Sequence, residues 1–326
     1  MTIYQGTDYD SKPDWFTWYL NGIEHASIKQ LFESGDVIKS YRIEVRDTVP
    51  YSQVGSFREE MYNTAVKVAA QAAGRPIVVA CSGIDSEVAA RLLVEAGADV
   101  ELAYMRFRFK DDSEYGIVRN IARELRIDCR AHEFRWLDAR ESVYQSLYET
   151  CVPASAMNCM KWLFEHYPRD RFFVTGNGAF RKVGGRFKKL AARYDIPNRV
   201  KSQGRLIPID LRDICMRIMA QRFELPGQYY FHIANVREVA ALFKNPLMRY
   251  NPDTAEIDDK DVYFEQFSDC LFKIKTQPYG IGDDLRQEIR LANLYERRLQ
   301  AKWPDQHKIF LNRITADFLA VDELFS

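Results

Sequence analysis

The segment CSGIDS, residues 81–86, contains residue types that can bind a phosphate group. It follows the apolar run 77–80 and precedes a stretch with apolar residues at helical spacing. A turn from a strand into a helix presents free main-chain N–H groups and the positive end of the helix dipole, which together attract an anion. The hydroxyls of Ser82 and Ser86 could add hydrogen bonds, and the carboxylate of Asp85 could hold a Mg²⁺ ion that bridges phosphates. The alternative interpretation is an ordinary strand-to-helix turn.

The composition is typical of a globular protein and excludes several classes of function. The 326 residues include 46 Lys and Arg and 46 Asp and Glu, so no overall field favours a nucleic acid or an anionic membrane. No apolar run approaches the roughly 20 residues that span a bilayer, and the N-terminus has no signal-peptide pattern. Six widely spaced cysteines without a CxxC pair predict reduced thiols, and hence a cytoplasmic protein.

The order of elements predicts an α/β fold with a doubly wound parallel sheet. Strands are predicted at 77–80, 100–107, 129–136 and 172–175, and helices at 57–73, 86–96, 112–125, 137–150 and 156–166. This alternation is typical of parallel sheets, which bind ligands at the carboxyl ends of their strands. We therefore expect the loops 81–86, 106–114 and 176–182 to converge on one site.

The alternation stops near residue 200, and the chain is expected to have three parts. Residues 1–56 form an N-terminal extension with short strands, residues 57–200 carry the sheet, and residues 201–326 form a helical C-terminal lobe. Helices are predicted in this lobe at 214–223, 235–243, 285–299 and 308–318, and a polar loop at 251–261.

The CSGIDS segment resembles the SGGxDS loop of the N-type ATP pyrophosphatases, the PP-loop superfamily. It matches neither the Walker pattern nor GxGxxG. Residues 83–86 match in place, whereas Cys81 and Ser82 stand where the superfamily has Ser and Gly. The sequence looks closest to asparagine-synthetase-like stand-alone domains of phage or bacterial type. The similarity covers residues 57–182 and includes YMRF, SEYGIVRNIAREL and FFVTGNG.

The resemblance implies ATP and Mg²⁺ as ligands, adenylation of a small carboxylate or amide substrate, release of pyrophosphate and formation of an amide. Residue 2 is Thr, not the Cys of a glutaminase domain, so ammonia or an amine would come from elsewhere. Adenine would contact main chain near residues 104–107. Asp85 would hold the metal and, with Lys182, act in catalysis. The residues implied in nucleotide binding are Cys81, Ser82, Gly83, Ile84, Asp85, Ser86, Tyr104, Arg106, Phe107, Gly176 and Gly178.

Two other functions remain open. A PP-loop enzyme that modifies a nucleobase of tRNA or DNA, by thiolation or deazapurine chemistry, would use the same loop with a reactive cysteine or a nucleic-acid surface. The basic cluster 181–189 could serve such a surface, but the neutral chain does not favour a nucleic-acid partner. If Cys81 and Ser82 abolish ATP binding, the chain would instead be a catalytically retired binding or assembly protein. We expect a small-molecule acceptor and no membrane partner, and the sequence predicts no oligomeric state.

Overall fold

The computed structural model of the chain describes residues 16–20, 23–25, 41–45, 51–107, 113–135, 138–139, 142, 145–146, 155–176, 223–229, 231–234, 236–251, 256–258 and 260–274. The strands are β1 (Phe16–Leu20), β2 (Ile23–His25), β3 (Tyr41–Val45), β4 (Ile77–Ala80), β5 (Val100–Phe107), β6 (Asp128–Phe134), β7 (Phe172–Thr175), β8 (Gly227–Gln228), β9 (Arg249–Asn251) and β10 (Glu256–Asp258). The α-helices are α1 (Phe57–Ala72), α2 (Ile84–Glu95), α3 (Ser113–Leu125), α4 (Ser155–Phe164), α5 (Val236–Lys244) and α6 (Lys260–Gln266). Short 3-10 helices cover Tyr51–Gln53, Phe231–Ile233 and Leu271–Ile274.

Five parallel strands form the central sheet, in the order β6-β5-β4-β7-β8. In chain order this is 3-2-1-4-5, so the direction of winding reverses between β4 and β7. The predicted α/β class with a doubly wound parallel sheet is confirmed. Open sheets of this kind bind ligands at the point of reversal, next to the carboxyl ends of the two strands that flank it.

Helices cover both faces of the sheet. On one face Tyr104 of β5 stacks on Tyr115 of α3, with ring centroids 5.4 Å apart. On the other face Phe173 of β7 stacks on Phe164 of α4 at 4.4 Å. Right-handed crossovers require this distribution, because the chain winds outward from β4 in one direction and returns to wind outward from β7 in the other.

The helix boundaries follow local chemistry. At the start of α1 the Ser56 hydroxyl accepts from the N–H of Glu59 at 3.2 Å, and the Glu59 carboxylate accepts from the N–H of Ser56 at 2.6 Å. This is a capping box. Gly74 and Gly97 follow α1 and α2 with φ of 79° and 78°, a left-handed conformation that glycine adopts without strain.

The predicted strands at 77–80, 100–107, 129–136 and 172–175 are confirmed to within two residues, as is the helix predicted at 235–243. The strand β8 was not predicted, and it extends the sheet into the part of the chain assigned to a helical lobe. The predicted polar loop at 251–261 is wrong, because β9 and β10 pair there as an antiparallel hairpin. The helices predicted at 285–299 and 308–318 lie outside the described residues, as does the helix predicted at 214–223 except for Phe223, which lies in a turn.

The N-terminal part contributes a separate antiparallel sheet in the order β2-β1-β3. The three-part division of the chain stays a prediction. Among the described residues, no helix combines the length and apolar character needed to cross a bilayer.

Candidate functional site

Residues 81–86 form the turn from β4 into α2, at the reversal point of the sheet. The N–H of Cys81 donates to the carbonyl of Ala103 at 2.8 Å and extends the parallel ladder by one bond. Gly83 is the N-cap of α2, which begins at Ile84. The first N–H groups of a helix lie outside its internal ladder and point along its axis. The turn therefore directs these groups and the helix dipole toward the carboxyl edge of the sheet, which is the arrangement that attracts anions.

The hydroxyl of Ser86 organises the turn from within. It accepts from the N–H of Ser82 at 3.0 Å and of Gly83 at 3.2 Å, and it donates to the carbonyl of Gly83 at 2.8 Å. The bond to Gly83 is one half of a capping box. In this conformation the Ser86 hydroxyl serves the turn itself, whereas the Ser82 side chain is exposed. The first main-chain N–H groups of α2 are those of Ile84 and Asp85.

The glycine at position 83 is not required by the fold. Its φ of −173° is an extended conformation that any residue can adopt. A Cβ added at Gly83 would meet no atom of the described residues within 4 Å. Ser82 has no positive φ either, so it occupies the place of the superfamily's glycine without backbone strain.

Gly176 is needed for a different reason. A Cβ at this position would overlap the main-chain N and Cα of Ser86 and would lie 2.6 Å from the carbonyl carbon of Asp85. The residue after β7 therefore packs directly on the first turn of α2. The structure brings residues 81–86 and Gly176 together, as predicted from the carboxyl ends of β4 and β7.

The end of β5 lies beside the same turn. β4 ends where Ala80 pairs with Ala103, and residues 104–107 continue alongside β6 alone. Main-chain groups of alternate residues in a parallel strand face the same neighbour. Since the carbonyl of Ala103 faces Cys81, the N–H and carbonyl of Met105 are the next to face the β4 side, beyond the end of that strand.

The side chains predicted near adenine have other roles. Tyr104 is buried against Tyr115, and Phe107 is buried against Phe134 at 5.1 Å. Arg106 is exposed at the carboxyl edge. Tyr104 and Phe107 can therefore offer a ligand only their main chain, and the contact of this main chain with adenine stays a prediction.

Two of the described cysteines, Cys81 and Cys159, are buried thiols. Cys81 is 1% exposed, and burial raises its pKa to about 12. Burial also raises the pKa of Cys159 far above its usual range. Only a thiolate is a good nucleophile, so neither group is reactive at neutral pH. Among the described residues, no disulfide joins any of the four cysteines Cys81, Cys129, Cys159 and Cys270.

Two buried contacts with the C-terminal part of the chain were missed by sequence reasoning. The first runs through His232, whose Nε2 lies 2.7 Å from the carbonyl oxygen of Asp85 and whose Nδ1 lies 2.7 Å from the hydroxyl of Tyr263. A carbonyl oxygen only accepts, so Nε2 carries the hydrogen. In the neutral ring Nδ1 then accepts from Tyr263.

The second contact is made by Glu87, the residue after the motif. Its fully buried carboxylate accepts from the N–H of Leu271 at 2.7 Å and of Phe272 at 2.8 Å. It also pairs with Arg91 at 2.8 Å. No local pattern could have indicated these partners, because they lie 184 and 185 residues further along the chain.

The predicted site is only partly covered by the described residues. Gly178 and Lys182 lie outside them. Within the described ranges, no group of three or more His, Cys, Asp or Glu side chains could hold a metal ion. A Mg²⁺ ion fits this site if Asp85 supplies one carboxylate and bound phosphates supply further oxygens, which is how Mg²⁺ commonly binds beside nucleotides.

No protein-family model matches the sequence, and no curated protein matches it. Solved structures with a similar chain trace include the NH3-dependent NAD synthetase from Campylobacter jejuni in complex with the nitrate ion, with 13% identity and a TM-score of 0.28. That match covers 44% of this chain and 60% of the synthetase. They also include the NMN synthetase from Francisella tularensis, with 12% identity and a TM-score of 0.32, covering 72% of this chain and 99% of that protein.

Proposed function

We propose that this chain is an ATP-dependent, AMP-forming synthetase that adenylates a small carboxylate or amide substrate and, where the substrate is a carboxylate, converts it to an amide. The observation that carries the proposal is the position of the CSGIDS turn. It opens α2 at the reversal point of the sheet, and a Cβ at Gly83 would meet no atom of the described residues within 4 Å. An SGGxDS-like motif in this position supports a site for the phosphates of ATP.

The phosphate end of the site would be formed by the start of α2. The N–H groups of Ile84 and Asp85 and the exposed Ser82 hydroxyl would bind the β- and γ-phosphates. The Asp85 carboxylate would hold a Mg²⁺ ion, which would neutralise charge on the departing pyrophosphate. We propose that Gly178 and Lys182, in the segment after Gly176, close on the pyrophosphate from the other side.

The adenine end would lie at the carboxyl end of β5. The N–H and carbonyl of Met105 face the β4 side beyond the last pair of that ladder, which suits the donor and acceptor on the edge of adenine. The phosphate and adenine ends then lie after adjacent strands, so an ATP molecule would run across the end of β4.

In the proposed reaction a substrate oxygen attacks the α-phosphorus of ATP, and the bond from that phosphorus to the β-phosphate oxygen breaks. Pyrophosphate leaves with its electron pair. Ammonia or an amine then attacks the activated carbon, loses a proton, and AMP departs. The residues assigned here act by positioning and by electrostatic stabilisation of the leaving pyrophosphate.

Calorimetric titration with ATP and Mg²⁺ tests the site, followed by pyrophosphate release in a screen of small carboxylates, amides and nucleobases. We expect Asp85→Asn to weaken ATP binding by about tenfold or more, since it removes a charged ligand. Asp99→Asn is the matched control, because Asp99 is exposed and precedes β5 at the opposite edge of the sheet. The wild type failing to bind millimolar ATP would refute the proposal and favour a retired binding protein. Turnover only with a nucleobase would favour base modification.

A further inference from the structure

Three parts of the chain meet at the peptide unit between Asp85 and Ser86. Its carbonyl oxygen accepts from Nε2 of His232 at 2.7 Å. Its nitrogen lies so close to Gly176 that no Cβ fits there. The Ser86 side chain on the same unit holds the N–H groups of Ser82 and Gly83. One rigid peptide plane thus links the C-terminal part, the segment after β7 and the turn after β4.

His232 is itself held in place. The hydroxyl of Tyr263 lies 2.7 Å from Nδ1, and both side chains are almost fully buried. The Tyr263 ring packs edge-on against Phe57 of α1, with centroids 5.3 Å apart. The hydroxyl therefore has a fixed position, and it keeps the imidazole in the orientation that points Nε2–H at Asp85.

We propose that His232, oriented by Tyr263, is a positioning residue for the anion-binding turn. Because the peptide is planar, fixing the Asp85 carbonyl also fixes the direction of the Ser86 N–H and the start of α2. A turn held in its binding geometry before the ligand arrives has less conformational freedom to lose on binding. The assignment of an anion as the ligand rests on the proposed function, whereas the ordering of the turn does not.

A buried histidine that only satisfies its own hydrogen bonds would behave differently. Its loss would lower global stability and leave the first hydrogen-bonded amides of α2 as protected as the rest of the helix. A positioning residue predicts faster exchange of the amides of residues 87–90, which begin the helical ladder, and a loss of affinity larger than that caused by removing an equivalent buried hydrogen bond elsewhere. Tyr229 offers that equivalent, since its buried hydroxyl donates to the carbonyl of Leu225 at 2.9 Å.

The first experiment is hydrogen exchange on the full chain without ligand. We expect Tyr263→Phe and His232→Phe to speed exchange of the amides of residues 87–90 by about tenfold relative to β4, since each variant loses a buried hydrogen bond. His232→Gln should stay near the wild type, because its amide can donate to Asp85 and accept from Tyr263. Tyr229→Phe should leave these amides unchanged. Equal protection of residues 87–90 in Tyr263→Phe, His232→Phe and the wild type would overturn the proposal.

The second experiment is calorimetric titration with ATP and with inorganic pyrophosphate, each with Mg²⁺. We expect Tyr263→Phe to bind both about tenfold more weakly than Tyr229→Phe, a difference of about 1.4 kcal/mol. His232→Gln should bind within a few-fold of the wild type. Equal affinities in the two tyrosine variants would overturn the positioning role. If the wild type binds neither probe, the proposed function fails, and the exchange experiment still decides whether His232 orders the turn.

Discussion

Replacing Glu87 by Gln should strongly destabilise the fold, although Glu87 belongs to none of the ligand contacts proposed above. Its carboxylate is the acceptor for the first two N–H groups of the 3-10 helix Leu271–Ile274, and it pairs with Arg91 of the same α-helix. The glutamine amide has nearly the same shape. It is neutral, and it turns an NH2 group toward one of the two main-chain donors.

The size of the effect follows from these contacts. At one of the two main-chain N–H groups, the charge-assisted hydrogen bond, typically worth about 1.5–3 kcal/mol, is lost because the glutamine NH2 group is also a donor. The hydrogen bond from the other N–H group weakens to a neutral one, worth about 1 kcal/mol. Arg91 keeps a partner in Glu124 at 2.7 Å, so its charge is not left buried alone. We therefore expect a loss of about 3 kcal/mol, near the lower end of the roughly 3–5 kcal/mol found when one partner of a buried ion pair is removed.

Urea-induced unfolding, followed by far-ultraviolet circular dichroism, measures this loss. The matched control is Glu124→Gln, which removes the exposed partner of the same arginine and should cost under about 1 kcal/mol. A free energy of unfolding of Glu87→Gln within 1 kcal/mol of the wild type, or equal losses in both variants, would refute the reasoning that the two main-chain donors make Glu87 indispensable.

Two further predictions concern glycines and pH. Gly83→Ala should weaken ATP binding and leave the free energy of unfolding within about 0.5 kcal/mol of the wild type. Gly176→Ala should lower the free energy of unfolding by about 2 kcal/mol or more, because the added Cβ would overlap main-chain atoms. Urea unfolding and calorimetry measure these effects, and equal stability of the two variants would contradict the assigned roles. Burial, with His166 and Arg130 nearby, lowers the pKa of His132 from 6.5 to about 4. As the pH falls, His132 therefore binds a proton in the unfolded chain before it does so in the folded chain. The free energy of unfolding should fall by about 1–3 kcal/mol between pH 6.5 and pH 4, a range that allows for the partial exposure of the ring. His132→Gln should remove that part of the decline, and an unchanged pH dependence of unfolding in this variant would count against it.

The sheet was predictable because its signals are local. The continuous apolar run of β4 marks a strand buried on both faces, and the 3.6-residue stripes after it mark helices that cover the sheet. The two-residue strand β8 has no such signal. Its partner β7 lies more than 50 residues earlier, and only packing in three dimensions determines that they pair.

The buried contacts of His232 and Glu87 with the candidate site and its helix could not be predicted either, because their partners are distant in the sequence. His232 lies 147 residues from Asp85, and nothing in its neighbours indicates a buried imidazole. Glu87 looks in the sequence like one more exposed acidic residue in the first turn of a helix, where acidic side chains are common. Only the arrival of Leu271 and Phe272 turns it into a buried acceptor.

The two departures from the SGGxDS pattern, Cys81 and Ser82, look more disruptive in the sequence than they are in the structure. Cys81 stands in place of a serine, but its side chain is buried beneath the turn, and its main-chain N–H still extends the ladder to Ala103. Ser82 stands in place of a glycine at a position without positive φ, and its side chain is exposed. The residues that form the start of α2, 83–86, all keep the pattern. Neither departure therefore strains the main chain that leads into α2, and the calorimetric titration with ATP tests whether this turn binds the nucleotide.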